Sequence, residues 1–190
     1  MTDDPYLIVG LGNPGPKYAP TRHNAGFEIL KLLAERAGSR FKAHKGHADV
    51  AEGRLSGTRV VLAKPMTFMN LSGSPTSSVA NFFKIPVEQI IVVHDELDLP
   101  FGGLRVKRGG GDGGHNGLKS LTSCLGSKEY LRVRFGIGRP PGRQDPADYV
   151  LKEFTPVERK ELPLLYDRAA DAVESLLTHG LERTQASFNS

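Results

Sequence analysis

Leu7-Ile8-Val9-Gly10-Leu11-Gly12-Asn13-Pro14-Gly15 joins a short apolar run to a turn rich in glycine and proline. A run of this kind marks a strand covered on both faces, so it belongs near the middle of a sheet. Its glycines match the GxGxxG fingerprint of dinucleotide-binding proteins. That fingerprint works when the third glycine opens a helix whose N-terminus receives a pyrophosphate, with an acid ~20 residues on for the ribose. Here Pro14, Pro16 and Pro20 forbid a regular helix until after Thr21, and Glu28 and Glu35 fall on the helix that follows. An NAD-dependent oxidoreductase is therefore the alternative reading, not the leading one.

Outward from this stretch, helical and strand patterns alternate. Asn24 is expected to cap a first helix with Phe27, Leu30, Ala34 and Ala37 on its apolar stripe and Gly38 past its end. Residues 48–55 and 59–63 flank Ser56-Gly57-Thr58 as a hairpin. Ser74-Pro75 opens a second helix, with Val79, Phe82 and Phe83 expected on its buried side; Ser72 and Ser74 look like cap residues. Ile90-Ile91-Val92-Val93 is the clearest strand, and residues 104–107 a weaker one before a glycine-rich loop and a short helix from about Asn116. Residues 131–135 alternate as a strand does. Thr155-Pro156-Val157-Glu158 forms a capping box for a last helix, expected to end near Gly180 and to kink at Pro163. The pattern predicts one α/β domain over residues 1–190, a mixed, twisted β-sheet surrounded by helices.

With 38% hydrophobic and 24% charged residues spread over 190 positions, the chain can bury a substantial core. Met1-Thr2-Asp3-Asp4-Pro5 lacks the start of a secretory signal, and no stretch approaches the ~18 apolar residues of a membrane span, so a cytoplasmic protein is expected. Cys124, the single cysteine, excludes an internal disulfide and a thiolate metal cage, and reads as a small buried apolar residue. The formal charge is +4, yet residues 105–143 hold nine Lys or Arg against two acids, leaving the remainder at −3. Such a belt fits a polyanionic partner as well as it fits a solubilising face.

Ligands of open α/β sheets sit beyond the carboxyl ends of the strands. Asn13, Asn70, Asp95 and Asn116 each follow an apolar run or the glycine-rich loop, and His23 enters at the start of the first helix. Each has an ordinary explanation as a turn, cap or surface residue. Together they suit one chemistry: a carboxylate holds a histidine in one tautomer as a general base, while carboxamides bind a carbonyl oxygen and orient water. No Gly-x-Ser-x-Gly elbow supplies a nucleophile, which favours direct attack by water on an ester. His94, Asp95, Glu96 and Asp98 look rich in metal ligands, but alternation sends His94 and Asp95 to opposite faces, and His44 and His47 read as a basic loop. Neither metal nor cofactor is expected.

The blocks 7–15, Tyr18 with Thr21-Arg22-His23-Asn24-Ala25-Gly26, Lys64-Pro65-Met66-Thr67-Phe68-Met69-Asn70-Leu71-Ser72-Gly73, His94-Asp95-Glu96-Leu97-Asp98-Leu99-Pro100 and Gly113-Gly114-His115-Asn116-Gly117-Leu118-Lys119 occur in that order over nearly the whole chain. In this the chain resembles bacterial peptidyl-tRNA hydrolases. The resemblance implies a metal-independent esterase that frees peptide and tRNA. It implies His23 as base and Asp95 as its orienting partner, and Asn13, Asn70 and Asn116 as amides holding substrate and water. Tyr18, Phe68 and Met69 would line the cleft, and His115 would contact the peptide or the terminal adenosine. Arg105, Lys107 and Arg134 fall where such enzymes clamp tRNA phosphates, and Arg108 is grouped with them. The implied partner is peptidyl-tRNA, held by its acceptor stem and 3′ end, and the implied state a monomer needing no protein partner. Asp112 stands out as an acid within the presumptive phosphate surface. A non-catalytic RNA-binding protein on the same scaffold is a further alternative.

Overall fold

The computed structural model describes residues 3–189. β1 (Tyr6–Gly10) is flanked by parallel β4 (Thr58–Pro65) and β5 (Ile90–Glu96). β3 (Ala48–Leu55) and then β2 (Lys42–His44) continue antiparallel beyond β4, while parallel β7 (Leu131–Gly136) and antiparallel β6 (Leu104–Arg108) lie beyond β5. The order β2-β3-β4-β1-β5-β7-β6 puts the first apolar run at the centre of a seven-stranded mixed sheet. Leu7, Ile8 and Val9 are fully buried, as a strand covered on both faces requires.

Alternate strand residues feed two cores. Ile8, Leu62, Ile91, Val133 and Phe135 pack on one face against α1 (Ala25–Arg36) and α5 (Pro156–Phe188). Leu7, Val9, Val61 and Val92 pack on the other against α2 (Gly73–Phe82) and α3 (Asn116–Leu125). The short α4 (Pro146–Val150) stands beside the loop preceding α1. The fold expected from the pattern is the fold observed.

Several local expectations change. The stripe of α1 is Ala25, Ile29, Leu30, Leu33 and Ala34, so Phe27 and Ala37 lie at its margins. Phe82 ends α2 and is 63% exposed, its ring edge-on to His44 of β2, a strand the basic loop concealed. Cys124 is exposed rather than buried, its sulfur lying beside Gly73 of α2. Ser72 caps with its backbone only; its hydroxyl donates to the carbonyl of Met69. α5 keeps helical geometry through Pro163, which is exposed. The break comes at Gly180, whose φ of 79° lies in the left-handed region. The segment beyond it folds back until Gln185 and Asn189 bind both backbone polar groups of Val106 on the outer strand β6.

Candidate active site

His23 lies in the 3-10 turn Arg22–Asn24, just before α1 and above the carboxyl ends of β1 and β5. The turn sits this close because Gly26 has no side chain: a Cβ there would be 2.5 Å from the carbonyl oxygen of Val93. Gly10 and Gly12 make room in the same way for the backbone of Gly26 and the ring of Phe27. The GxGxxG glycines thus serve the packing of helix on sheet, and residues 13–20 form turns, with no helix start to receive a pyrophosphate. The dinucleotide reading fails on this geometry.

Asp95, near the end of β5, is 2% exposed and holds one histidine on each carboxylate oxygen. Nδ1 of His23 is 2.7 Å from Oδ2, and Nε2 of His115 is 2.8 Å from Oδ1. Burial alone would raise the pKa of this carboxyl, but the charges and hydrogen bonds of His23 and His115 hold it well below the usual carboxylate range. Burial likewise works against a charge on His23, and the charge and hydrogen bond of Asp95 outweigh it, so His23 titrates above 6.5. His94 behaves in the opposite sense. Burial, aided by the nearby His115 and Arg132, pushes it down to about 3, and its Nδ1 donates to the carbonyl of Asp95. It is a buried, neutral residue outside the cavity lining.

A cavity of about 280 Å³ opens over this group. His23, Asp95, His115 and Asn116 line one side, and Asp145, Pro146 and Val150 the other. Asn116 is exposed at the first turn of α3 with its carboxamide unpartnered among the described residues, and so free to meet a ligand. Asn13 does not line this cavity. It borders a neighbouring hollow of about 180 Å³ with Asn24, Phe27 and Lys64. Its Oδ1 accepts from the amide of Met69 at 2.7 Å, which leaves the NH₂ half as the available group.

The remaining sequence-predicted residues divide. Tyr18 and Phe68 pair edge-to-face at 6.2 Å, with Phe68 57% exposed. Met69 is buried, with its sulfur against Gly117, and serves the core rather than the cleft. Asn70 is exposed and absent from the cavity wall, because the turn Met69–Leu71 that sends Met69 inward sends its neighbour out. His115 has no ring nitrogen to spare for a substrate: Nε2 faces Asp95, and Nδ1 accepts from the amides of Gly117 and Leu118 as the cap of α3. Asp112 is a turn former whose Oδ1 accepts from the amide of Gly114.

In the β6·β7 ladder Arg105 stands opposite Arg134 and Lys107 opposite Arg132, which gathers four cations on one face of the sheet. Burial and the charges of Arg134 and Arg132 push Lys107 down from its ordinary value. Arg134 also binds Glu96 at 3.0 Å, and Glu96 lines the cavity, so the basic face adjoins the site. Arg108 is set apart. Strand parity turns it to the other face, and its guanidinium donates to the carbonyls of Glu88 and Glu129.

Three important residues were given no role at the site in the sequence. Asn24 clamps the backbone of Asn13 instead of capping α1. Arg22, 5% exposed, stacks on Tyr149 at 4.0 Å and binds Glu158, tying the turn of His23 to α4 and α5. Arg132, 1% exposed, donates to the carbonyls of Gly110 and Gly111 and fixes the glycine-rich loop. The available signal was position: Arg22 and Asn24 flank His23 inside one motif block, and Arg132 occurs in a strand.

Donor atoms of His23, Asp95 and His115 lie within 4.8 Å of one another, a set that has the composition of a metal site. Its contacts have hydrogen-bond lengths, and His115 already spends its second nitrogen on α3, so the set as folded fits shared protons better than a cation.

The model of the family described as peptidyl-tRNA hydrolase matches residues 7–190. A peptidyl-tRNA hydrolase of Frankia alni is 65% identical over 99% of this chain and 96% of its own length. One of Streptomyces coelicolor is 59% identical over 98% and 96%. The crystal structure of peptidyl-tRNA hydrolase from Acinetobacter baumannii, 37% identical, superposes with a TM-score of 0.92 over 100% of this chain and 97% of that one. Family model, relatives and architecture agree, and the chain belongs to the peptidyl-tRNA hydrolase family.

Proposed function

We propose that this chain hydrolyses the ester joining a peptide, or an N-blocked amino acid, to tRNA, with His23 as general base toward water. The observation that carries the reading is the 2.7 Å contact between Nδ1 of His23 and buried Asp95. With the Nδ1 proton held in a hydrogen bond to the Asp95 carboxylate, Nε2 keeps a lone pair for a water molecule in the cavity. Nε2 takes a proton from that water as its oxygen bonds to the ester carbon, and the imidazolium that forms is stabilised by Asp95. The tetrahedral intermediate then expels the ribose oxygen, which receives the proton back from Nε2. The carboxamide of Asn116, on the same cavity wall, supplies a donor for the developing oxyanion, and the NH₂ of Asn13 is a second candidate. Asn70, Tyr18 and Phe68 are assigned to the substrate's approach outside the cavity.

The acceptor stem and 3′ end of the tRNA are assigned to the face of Arg105, Lys107 and Arg134, adjoining the cavity through Glu96. Phosphate contacts there add affinity without reading sequence. No helix among the described residues is long and apolar enough to cross a membrane. A monomer acting in the cytoplasm, where its substrate arises, completes the reading.

The test is incubation with N-acetylated aminoacyl-tRNA in the presence of a chelator. Release of the acetylated amino acid, with free aminoacyl-tRNA spared, is the expected result. Binding without release would make the chain an RNA-binding protein, and activity abolished by the chelator and restored by metal would reassign His23, Asp95 and His115 as ligands.

A further inference from the structure

Asp95 is gripped from two sides, and the second grip has a defined polarity. Nδ1 of His115 accepts from two backbone amides, Gly117 at 3.1 Å and Leu118 at 3.3 Å. Amide N–H groups only donate, so Nδ1 carries a lone pair and the ring proton sits on Nε2, 2.8 Å from Oδ1 of Asp95. The first turn of α3 therefore fixes the tautomer of a histidine that is also the helix cap, a position usually given to Ser, Thr, Asp or Asn.

We infer that His115 is a positioning residue for the reaction: it donates a fixed hydrogen bond to Asp95, aims the other carboxylate oxygen at Nδ1 of His23, and moderates how strongly Asp95 favours the imidazolium. This rests on the assignment of His23 as base. A carboxylate with a second donor presents less charge to the first histidine, so His23 can give up its proton at a lower pH than Asp95 alone would allow. The groups facing Asp95 are few. They are His23 before α1, neutral His94 on β5 with its ring 5.1 Å from that of His115, and His115 itself. Tyr166 of α5 senses the charge of Asp95, Glu96 is tied to Arg134, and Asp145 stands across the cavity.

The two nitrogens of His115 can be replaced separately. In His115→Asn the side-chain oxygen lies where Nδ1 was and keeps the cap, but the donor to Asp95 is lost. In His115→Gln the amide nitrogen reaches the position of Nε2 and keeps the donor, but the cap is lost. The experiment is the pH dependence of kcat/KM on N-acetylated aminoacyl-tRNA for the parent and both variants, with thermal unfolding alongside.

His115→Asn is expected to move the rising limb upward by ~0.5–1 pH unit, to lower kcat, and to leave KM within about twofold of the parent. His115→Gln is expected to retain the parental limb and to lose ~2–4 °C in Tm through the missing cap. A raised KM with an unmoved limb in His115→Asn would make His115 a substrate contact and overturn the inference. Equal limb shifts in both variants would overturn it too, by tying the shift to the helix cap. A parent with no rising limb above pH 6.5 would instead remove the underlying assignment of His23.

Discussion

The carboxamide of Asn24 closes on the backbone of Asn13 from both sides, its Oδ1 accepting from the amide at 2.9 Å and its Nδ2 donating to the carbonyl at 2.9 Å. Asn13 in turn accepts from the amide of Met69. Three segments far apart in the chain are thus locked together one residue away from His23. Asn24→Ala leaves a buried N–H and a buried C=O without partners, which costs roughly 2–4 kcal/mol. The expected outcome is a Tm lower by several degrees together with reduced turnover, measured by thermal unfolding and by hydrolysis below the transition. Parental values in both would show that the clamp is dispensable.

The pH dependence follows from His23. The base must be neutral, and Asp95 places its titration above 6.5, so kcat/KM is expected to rise through that range to an alkaline plateau. Stability runs the other way. A raised folded-state value means the stabilisation from protonated His23 is complete below 6.5 and is lost as pH rises through the folded-state value. Asp95→Asn removes the charge, leaves burial in control, and should shift the limb to lower pH while the plateau falls ~10²–10⁴-fold; His23→Ala should lose a similar factor with tRNA affinity intact. An Asp95→Asn limb that does not move would separate the two residues.

Much of this site was legible because its residues follow apolar runs that fix their ends of the strands: His23, Asp95 and Asn116 stand out at strand and helix boundaries, and the motif blocks supply their roles. What stayed hidden was direction within turns. Nothing in Met69-Asn70 tells which side chain turns inward, so Met69 was assigned to the cleft and Asn70 to the site, the reverse of their burial. His115 was expected at the substrate because a motif conveys that a histidine is needed, not which neighbours consume its nitrogens. Arg22 and Arg132 give no sign of their roles in the sequence, because burial of a guanidinium depends on carbonyls supplied from distant segments.

The cationic face gives a prediction with an internal control. Arg105 and Lys107 point to the same side as Arg134, whereas Arg108 points to the other and is bound to backbone carbonyls. Combined Arg105→Ala and Lys107→Ala should weaken tRNA binding and lower the slope of log affinity against log salt by about 2, close to one per phosphate contact. Arg108→Ala should leave that slope near the parental value. If Arg108→Ala flattens it as much as the double variant, the tRNA runs over the edge of β6 rather than across its face.

Arg22 bears on the opposite wall of the cavity. Its Nη1 reaches the carbonyls of Tyr149 and Lys152 at 3.5 and 3.4 Å, and its Nη2 lies 3.2 Å from Glu158, the residue whose carboxylate also accepts from the amide of Thr155 in the capping box of α5. One guanidinium therefore fixes how α4, with Pro146 and Val150, faces His23. Arg22→Lys keeps the charge but loses the planar stack on Tyr149 and the fork of donors, and Arg22→Met loses both and leaves the partly buried Glu158 with only the amide of Thr155, at roughly 2–4 kcal/mol. Because the wall is displaced rather than the base, both variants should lower kcat/KM on N-acetylated aminoacyl-tRNA without moving the limb of His23, the lysine variant less severely. Thermal unfolding ranks the stability losses and the pH–rate profile checks the limb; a limb displaced as in Asp95→Asn would mean that Arg22 acts on the charge of His23 and not on the shape of the cavity.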